Sequence, residues 1–103
     1  MAARVIVAFL ISVAVAATAA AQDASPERGA RLYRQFCARC HGPNMVNAGV
    51  ASADLRQFPA EQQERFFESL SKGKNNMPAW SNTLKPDEMQ ALWAYVLSRG
   101  KQP

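Results

Sequence analysis

The sequence predicts an all-α fold of three to four short helices joined by long loops. Three segments place apolar residues at helical spacing between start and stop signals. No stretch alternates apolar and polar residues as a strand would, and residues 42–58 and 72–84 are rich in Gly, Pro and Asn. The first helix opens at Ser25-Pro26-Glu27, with a serine N-cap, proline in the first helical position and an acid in the first turn. Gly29, Tyr33, Phe36 and Cys37 then recur on one face. A second helix follows Pro59, with Gln62, Phe66, Phe67 and Leu70 inward, Glu61, Glu64, Arg65 and Glu68 outward, and Gly73 as its stop. The third opens at Pro86-Asp87-Glu88 after a poor N-cap, Lys85. Met89, Leu92, Trp93, Val96 and Leu97 form its inner stripe, Arg99 lies in its last turn, and Gly100 ends it.

The N-terminus has a different character. Residues 5–21 read VIVAFLISVAVAATAAA, preceded by Arg4 and closed by three alanines, the order of a secretory signal peptide. Residues 1–21 are expected to be a cleaved leader and residues 22–103 the mature domain; the alternative is a retained anchor, for which the apolar run is marginal in length. Either way the folded part is expected outside the cytoplasm, in the periplasm. Of the formal charge of +4, cleavage removes only Arg4. The modest positive charge, without aromatics interleaved among the basic residues, argues against nucleic acid as a partner. The mature length excludes a large catalytic domain, and no second long apolar run suggests a polytopic membrane protein.

The chemistry is concentrated in Cys37-Ala-Arg-Cys40-His41. In an exported protein two cysteines first suggest a disulfide. A thioredoxin-like redox pair requires a βαβ pattern that is absent, and a structural zinc site requires four ligands where the chain offers two cysteines and one histidine. The spacing C-x-x-C-H matches covalent attachment of a c-type haem: each thiol adds across a vinyl group, and the adjacent imidazole faces the iron.

The other face of the iron is either filled by methionine sulfur or left open. Met45 lies too near His41 to reach across, and Met89 falls in a helical stripe. Met77 lies 36 residues beyond His41, in a loop with Gly73 before it and Pro78 after it. Ligation by His41 and Met77 would raise the potential and close the iron to small molecules. In the alternative, Met77 only packs in its loop and the iron is open. A domain with three short helices has a thin core of its own, so a porphyrin would complete the core as well as perform the chemistry.

With these residues in place, the chain resembles the class I (mitochondrial-type) monohaem cytochromes c, from about Pro26 to about Ser98. The resemblance lies in Gly29 and Tyr33, in Cys37-Ala-Arg-Cys40-His41-Gly42, in Met77-Pro78, and in Leu92-Trp93-Ala94-Tyr95-Val96. It implies a cytochrome c fold wrapped around one covalent haem, in which Gly29 and Tyr33 cross the last helix at Leu92 and Tyr95. More narrowly, Gly49-Val-Ala-Ser-Ala-Asp-Leu-Arg56 with Met77-Pro-Ala-Trp80 is similar to the cytochrome domains of quinohaemoprotein alcohol dehydrogenases and to small cytochromes serving pyrroloquinoline-quinone enzymes. Those carry proline before the Asp-Leu-Arg, and its carbonyl holds the proximal histidine; here Ala53 stands in that place. Arg56 suits a haem propionate or a loop carbonyl, with a solvated surface position as the alternative. Trp80 suits an indole N–H bond to a propionate, with packing on the haem edge as the alternative.

The resulting expectation is a monomeric periplasmic electron carrier, not an enzyme. It would take electrons from a quinoprotein dehydrogenase or another periplasmic donor and pass them to an oxidase or a further cytochrome. Arg39, Lys72 and Lys74 would ring the haem edge and steer an acidic partner. A haem subunit of a larger dehydrogenase or oxidase complex and a ligand-binding sensor with an open iron are the rival expectations.

Overall fold

Helix α1 (Pro26–Phe36) begins as its sequence dictates. Ser25 sits in extended conformation (φ −69°, ψ 152°), and its hydroxyl accepts the Arg28 N–H at 3.2 Å, satisfying one of the donors left open at a helix start. The computed structural model describes residues 2–13, 23–46 and 53–99. Among these, three further helices follow: α2 (Ala38–His41), α3 (Gln63–Lys72) and α4 (Pro86–Leu97). Short 3-10 turns stand at Pro43–Met45 and Leu55–Gln57, and no β-strand longer than an isolated bridge occurs among the described residues. The all-α expectation is met, and the helix beyond the three expected is α2, a single turn that carries Cys40 and His41 of the C-x-x-C-H motif and is capped by Cys37.

Helix α4 lacks an N-cap side chain that can accept, since Lys85 occupies that place. Glu88 compensates: its Oε1 accepts the Lys85 N–H at 2.9 Å, the reciprocal half of a capping box. The Arg28 guanidinium docks on the same helix end, 2.7 Å from Asp87 Oδ2 and 3.8 Å from Glu88 Oε2. The carboxyl of Asp87 is held below its ordinary range, chiefly by that bond from Arg28.

The two terminal helices cross at Gly29. A Cβ built there would stand 1.9 Å from the Ala91 carbonyl oxygen and 2.8 Å from Tyr95 Cβ, so only glycine permits this approach. The partner is therefore the Ala91 backbone one residue before the expected Leu92. One turn along α1, the rings of Tyr33 and Tyr95 meet at 5.1 Å, tilted by 52°. Tyr33, Ala91, Leu92, Tyr95 and Val96 are all buried at this junction.

Helix α3 joins α4 through aromatic side chains. Phe66 lies 4.9 Å from Trp93, and Phe58 meets both at 5.6–5.7 Å, nearly edge-on. Three details depart from the sequence expectation. Gln62 is an exposed residue before the helix and not part of its inner face, because Pro59–Gln62 form a turn closed by Gln62 N–H to the Pro59 carbonyl. Leu97, expected on the inner stripe of α4, is 39% exposed, since the helix ends there and leaves the core. The left-handed residue after α4 is Arg99 (φ 57°), beyond the helix and not in its last turn; Gly100, the expected stop, lies outside the described residues. Gly73 does end α3, at φ 76°.

The leader boundary at Ala21 also lies outside the described residues, as does Gly49–Ser52 of the narrower motif. Residues 2–13 carry no helix, and among the described residues no helix is long and apolar enough to cross a membrane.

Two outcomes follow from these contacts. Gly29→Ala should lower stability by more than about 3 kcal/mol, above the usual overpacking cost, because the clash is with backbone and no rotamer relieves it; a wild-type melting temperature would contradict the crossing. The depressed carboxyl of Asp87 contributes stability above its unfolded value of ~3.9, and that contribution is lost as pH falls through the lower folded value. Asp87→Asn should therefore flatten the acid limb of melting temperature against pH, and an unaltered limb would contradict it.

Candidate functional site

Between the end of α1, the inner face of α3 and the loop after it lies a cavity of about 880 Å³. That is at the upper end for sites that hold a sizeable ligand. Much of its wall is apolar, supplied by Phe36, Leu55, Phe58, Phe66, Leu70, Leu92 and Val96. Cys37, between α1 and α2, lines it together with Cys40 and His41 of α2, and Met77 lines it from the loop after α3.

Local hydrogen bonding explains how the motif is presented. The Cys37 N–H donates to the Tyr33 carbonyl at 2.8 Å, ending α1, and the chain restarts as one turn with His41 N–H donating to the Cys37 carbonyl at 2.9 Å. Cys37 is half-buried and Cys40 exposed, and both are free thiols. Burial pushes the Cys37 thiol up to about 12, with the neighbouring Cys40 a second cause.

The imidazole of His41 is oriented by a backbone group: its Nδ1 lies 3.1 Å from the Ala53 carbonyl oxygen. A carbonyl can only accept, so Nδ1 is the donor, an arrangement that in the neutral ring leaves the Nε2 lone pair for a metal. The carbonyl at position 53 thus makes the expected contact without a proline.

Met77 is half-buried, and its backbone is fixed on both sides by Lys74. Its N–H donates to the Lys74 carbonyl at 2.9 Å and its carbonyl accepts the Lys74 N–H at 3.1 Å. Gly73 makes this fold-back possible, since a Cβ there would stand 2.6 Å from the Met77 carbonyl oxygen. Of the described methionines Met77 alone lines the cavity; Met45 is fully buried, and Met89 lies in the core with its sulfur accepting from Ser71 Oγ at 3.8 Å.

The two expected propionate contacts fare differently. Arg56 is not on the cavity wall. Its Nε and Nη2 donate to the two oxygens of Asp54 at 3.0 and 2.9 Å, and Asp54 also caps the turn Leu55–Gln57. This two-pronged pairing raises the arginine's pKa and lowers the carboxyl's. Trp80 does line the cavity, its ring 5.6 Å from that of Phe36 and tilted by 59°, with its backbone N–H tied to the Leu70 carbonyl at 2.7 Å.

Of the expected basic ring, Lys74 reaches the cavity. Lys72 pairs with Glu68 at 3.4 Å in solvent, and Arg39 is exposed away from the lining. Arg65 takes their place at the wall, its guanidinium 4.5 Å from the centre of the Phe58 ring. Sequence reasoning missed both residues: Arg65 lies among outward-facing charges, with no spacing signal separating it from Glu64, and Phe58 is an isolated loop aromatic. Their proximity to Pro59 and Phe66 was the available hint.

This donor set suits an iron porphyrin. Two thiols and an imidazole stand on one short segment, and a soft thioether lines the same apolar cavity. Among the described residues no group of three His, Cys, Asp or Glu side chains is placed to hold a bare metal ion.

The comparisons agree. Residues 24–96 match the family model described as cytochrome c oxidase, cbb3-type, subunit III. Quinohemoprotein alcohol dehydrogenase ADH IIB of Pseudomonas putida is 37% identical over 82 residues, covering 74% of this chain and 12% of the dehydrogenase. Cytochrome c6 of a Nostoc species is 36% identical over 75 residues, covering 69% of this chain and 68% of that protein. Cytochrome c6 of Anabaena variabilis is 36% identical over 78 residues, covering 71% of this chain and 90% of its own length. The chain thus spans a small fraction of the dehydrogenase but most of each cytochrome c6. A match across most of the chain, together with a cavity whose donors suit the cofactor, establishes that this chain belongs to the cytochrome c family, electron-transfer proteins and not enzymes, and that its cofactor is covalently bound haem c.

Proposed function

We propose that the chain is an exported one-electron carrier of the periplasm, with haem c attached through Cys37 and Cys40 and ligated by His41 Nε2 and Met77 Sδ. The observation that carries this reading is the shared cavity: His41, its Nδ1 already bonded to Ala53, and Met77, fixed by Lys74, line one apolar space together with both thiols. The haem supplies a one-electron iron couple; the residues supply everything else. Ala53 holds the imidazole in the ligating tautomer. Phe36, Phe58, Phe66, Leu92 and Val96 exclude water, and the tethered loop presents the sulfur. Met77 in that position favours the reduced state and leaves no open coordination site.

The leader-like residues 1–21 support export, and the similarity to a quinohemoprotein dehydrogenase supports a quinoprotein dehydrogenase as donor, with an oxidase or another cytochrome as acceptor. Lys74 and Arg65 on the cavity wall place positive charge where an acidic partner would dock. A second reading is favoured by the small share of the dehydrogenase that the chain matches: a haem subunit held in a larger complex. Sedimentation distinguishes the two, since a complex that survives salt marks a subunit and a free monomer marks a carrier.

The oxidised protein should show a near-infrared sulfur-to-iron band. In Met77→Ala that band should vanish and the reduced protein should bind CO; absence of the band in the wild type would overturn the His/Met assignment. The second-order rate of reduction by a quinoprotein dehydrogenase should fall as ionic strength rises, and less steeply in the Arg65→Gln, Lys74→Gln double variant. A salt-independent rate would remove the steering role.

A further inference from the structure

Tyr33 is bonded to both ends of the haem-attachment segment. Its carbonyl accepts the N–H of Cys37, where the segment begins, at 2.8 Å. Its hydroxyl donates to the carbonyl of Gly42, directly after His41, at 2.5 Å. The ring between these two groups is 1% exposed and rests on Tyr95 of α4, one turn from the crossing at Gly29. Gly42 is buried and holds φ 84°, ψ 159°, a conformation that side-chain-bearing residues rarely adopt. The chain leaving His41 therefore turns sharply at Gly42, and the Tyr33 hydroxyl anchors the Gly42 carbonyl, which also accepts the Met45 N–H at 3.3 Å.

We propose that Tyr33 is a positioning residue for His41: by clamping the Cys37 N–H and the Gly42 carbonyl it fixes the segment between them, and with it the plane of the imidazole, to the α1–α4 crossing. The inference rests on His41 ligating the haem, as set out above. Two constraints then act on His41 from opposite directions. Ala53 fixes the ring through Nδ1, and Tyr33 fixes the backbone that carries the ring. Burial keeps the phenol protonated by pushing its pKa up, so the hydroxyl remains a donor across the working pH range. A phenylalanine at this position would still fill the junction but would remove the shorter of the two bonds to the Gly42 carbonyl, leaving only the Met45 N–H at 3.3 Å.

The test uses the mature holoprotein and two variants, Tyr33→Phe and Tyr95→Phe. Tyr95→Phe serves as the control because it changes the same aromatic pair without touching the segment. Proton NMR of the oxidised protein reads the haem-methyl shifts, which report the orientation of the axial imidazole. Amide exchange reads local opening. In Tyr33→Phe the haem-methyl pattern should change, and the His41 and Gly42 amides should exchange about tenfold faster relative to the α4 amides of Leu92–Val96. In Tyr95→Phe any faster exchange should be shared by α1 and α4, with the haem-methyl pattern kept. Tyr33→Phe with the wild-type pattern and uniform exchange would overturn the positioning role while leaving the haem ligation intact. A wild type without paramagnetically shifted haem methyls would overturn the ligation reading, and this inference with it.

Discussion

Everything the site requires depends on how closely α1 approaches α4. At Gly29 the two backbones are separated by less than a methyl group would allow, and this contact sets the position of both helix ends that matter. The C-terminal end of α1 delivers Cys37 and the turn that follows it. The adjoining face of α4 delivers Leu92 and Val96 to the cavity wall and Tyr95 to the junction. The Arg28 pairing with Asp87 and Glu88 holds the opposite end of the same crossing. A helix pair joined by small residues and aromatic stacking needs little apolar area of its own, which suits a chain this short whose remaining core is a cavity built for a cofactor.

Much of this was legible because it is written in local chemistry. Ser25-Pro26-Glu27 and Pro86-Asp87-Glu88 each encode a helix start in consecutive residues, and C-x-x-C-H encodes its own spacing. Legibility failed where the deciding partner is distant, is backbone, or is one of several competing charges close by. Gln62 fits a helical stripe by count, but Pro59 begins a turn that runs through it. Leu97 fits the stripe of α4, yet the core ends one residue earlier. Arg99, with no glycine's freedom, still takes the left-handed position after α4, where its guanidinium lies 3.5 Å from the Leu55 carbonyl. Arg56 is drawn away from the cavity by a carboxylate only two residues before it, a competition that a charge count does not rank.

The placement of the basic residues shows why a charge inventory is a weak guide to a docking face. Three cations were expected around the site from their sequence positions, and one of them lines it. Lys72 lies one helical turn beyond Glu68 and pairs with it in solvent. Arg65, which looked like part of the solvated face of α3, lies over Phe58 because a half-buried aromatic ring at a cavity rim is a good surface for a flat, weakly hydrated guanidinium.

The contact between His41 and Ala53 has an implication for mutational robustness. The ring is oriented by a peptide oxygen, and every amino acid at position 53 carries that oxygen. Side-chain changes there leave the acceptor in place as long as the main chain keeps its path. The group that tunes the chain's lone histidine is therefore sheltered from point substitution, and only an insertion, a deletion or a shift of that strap would strip the imidazole of its partner.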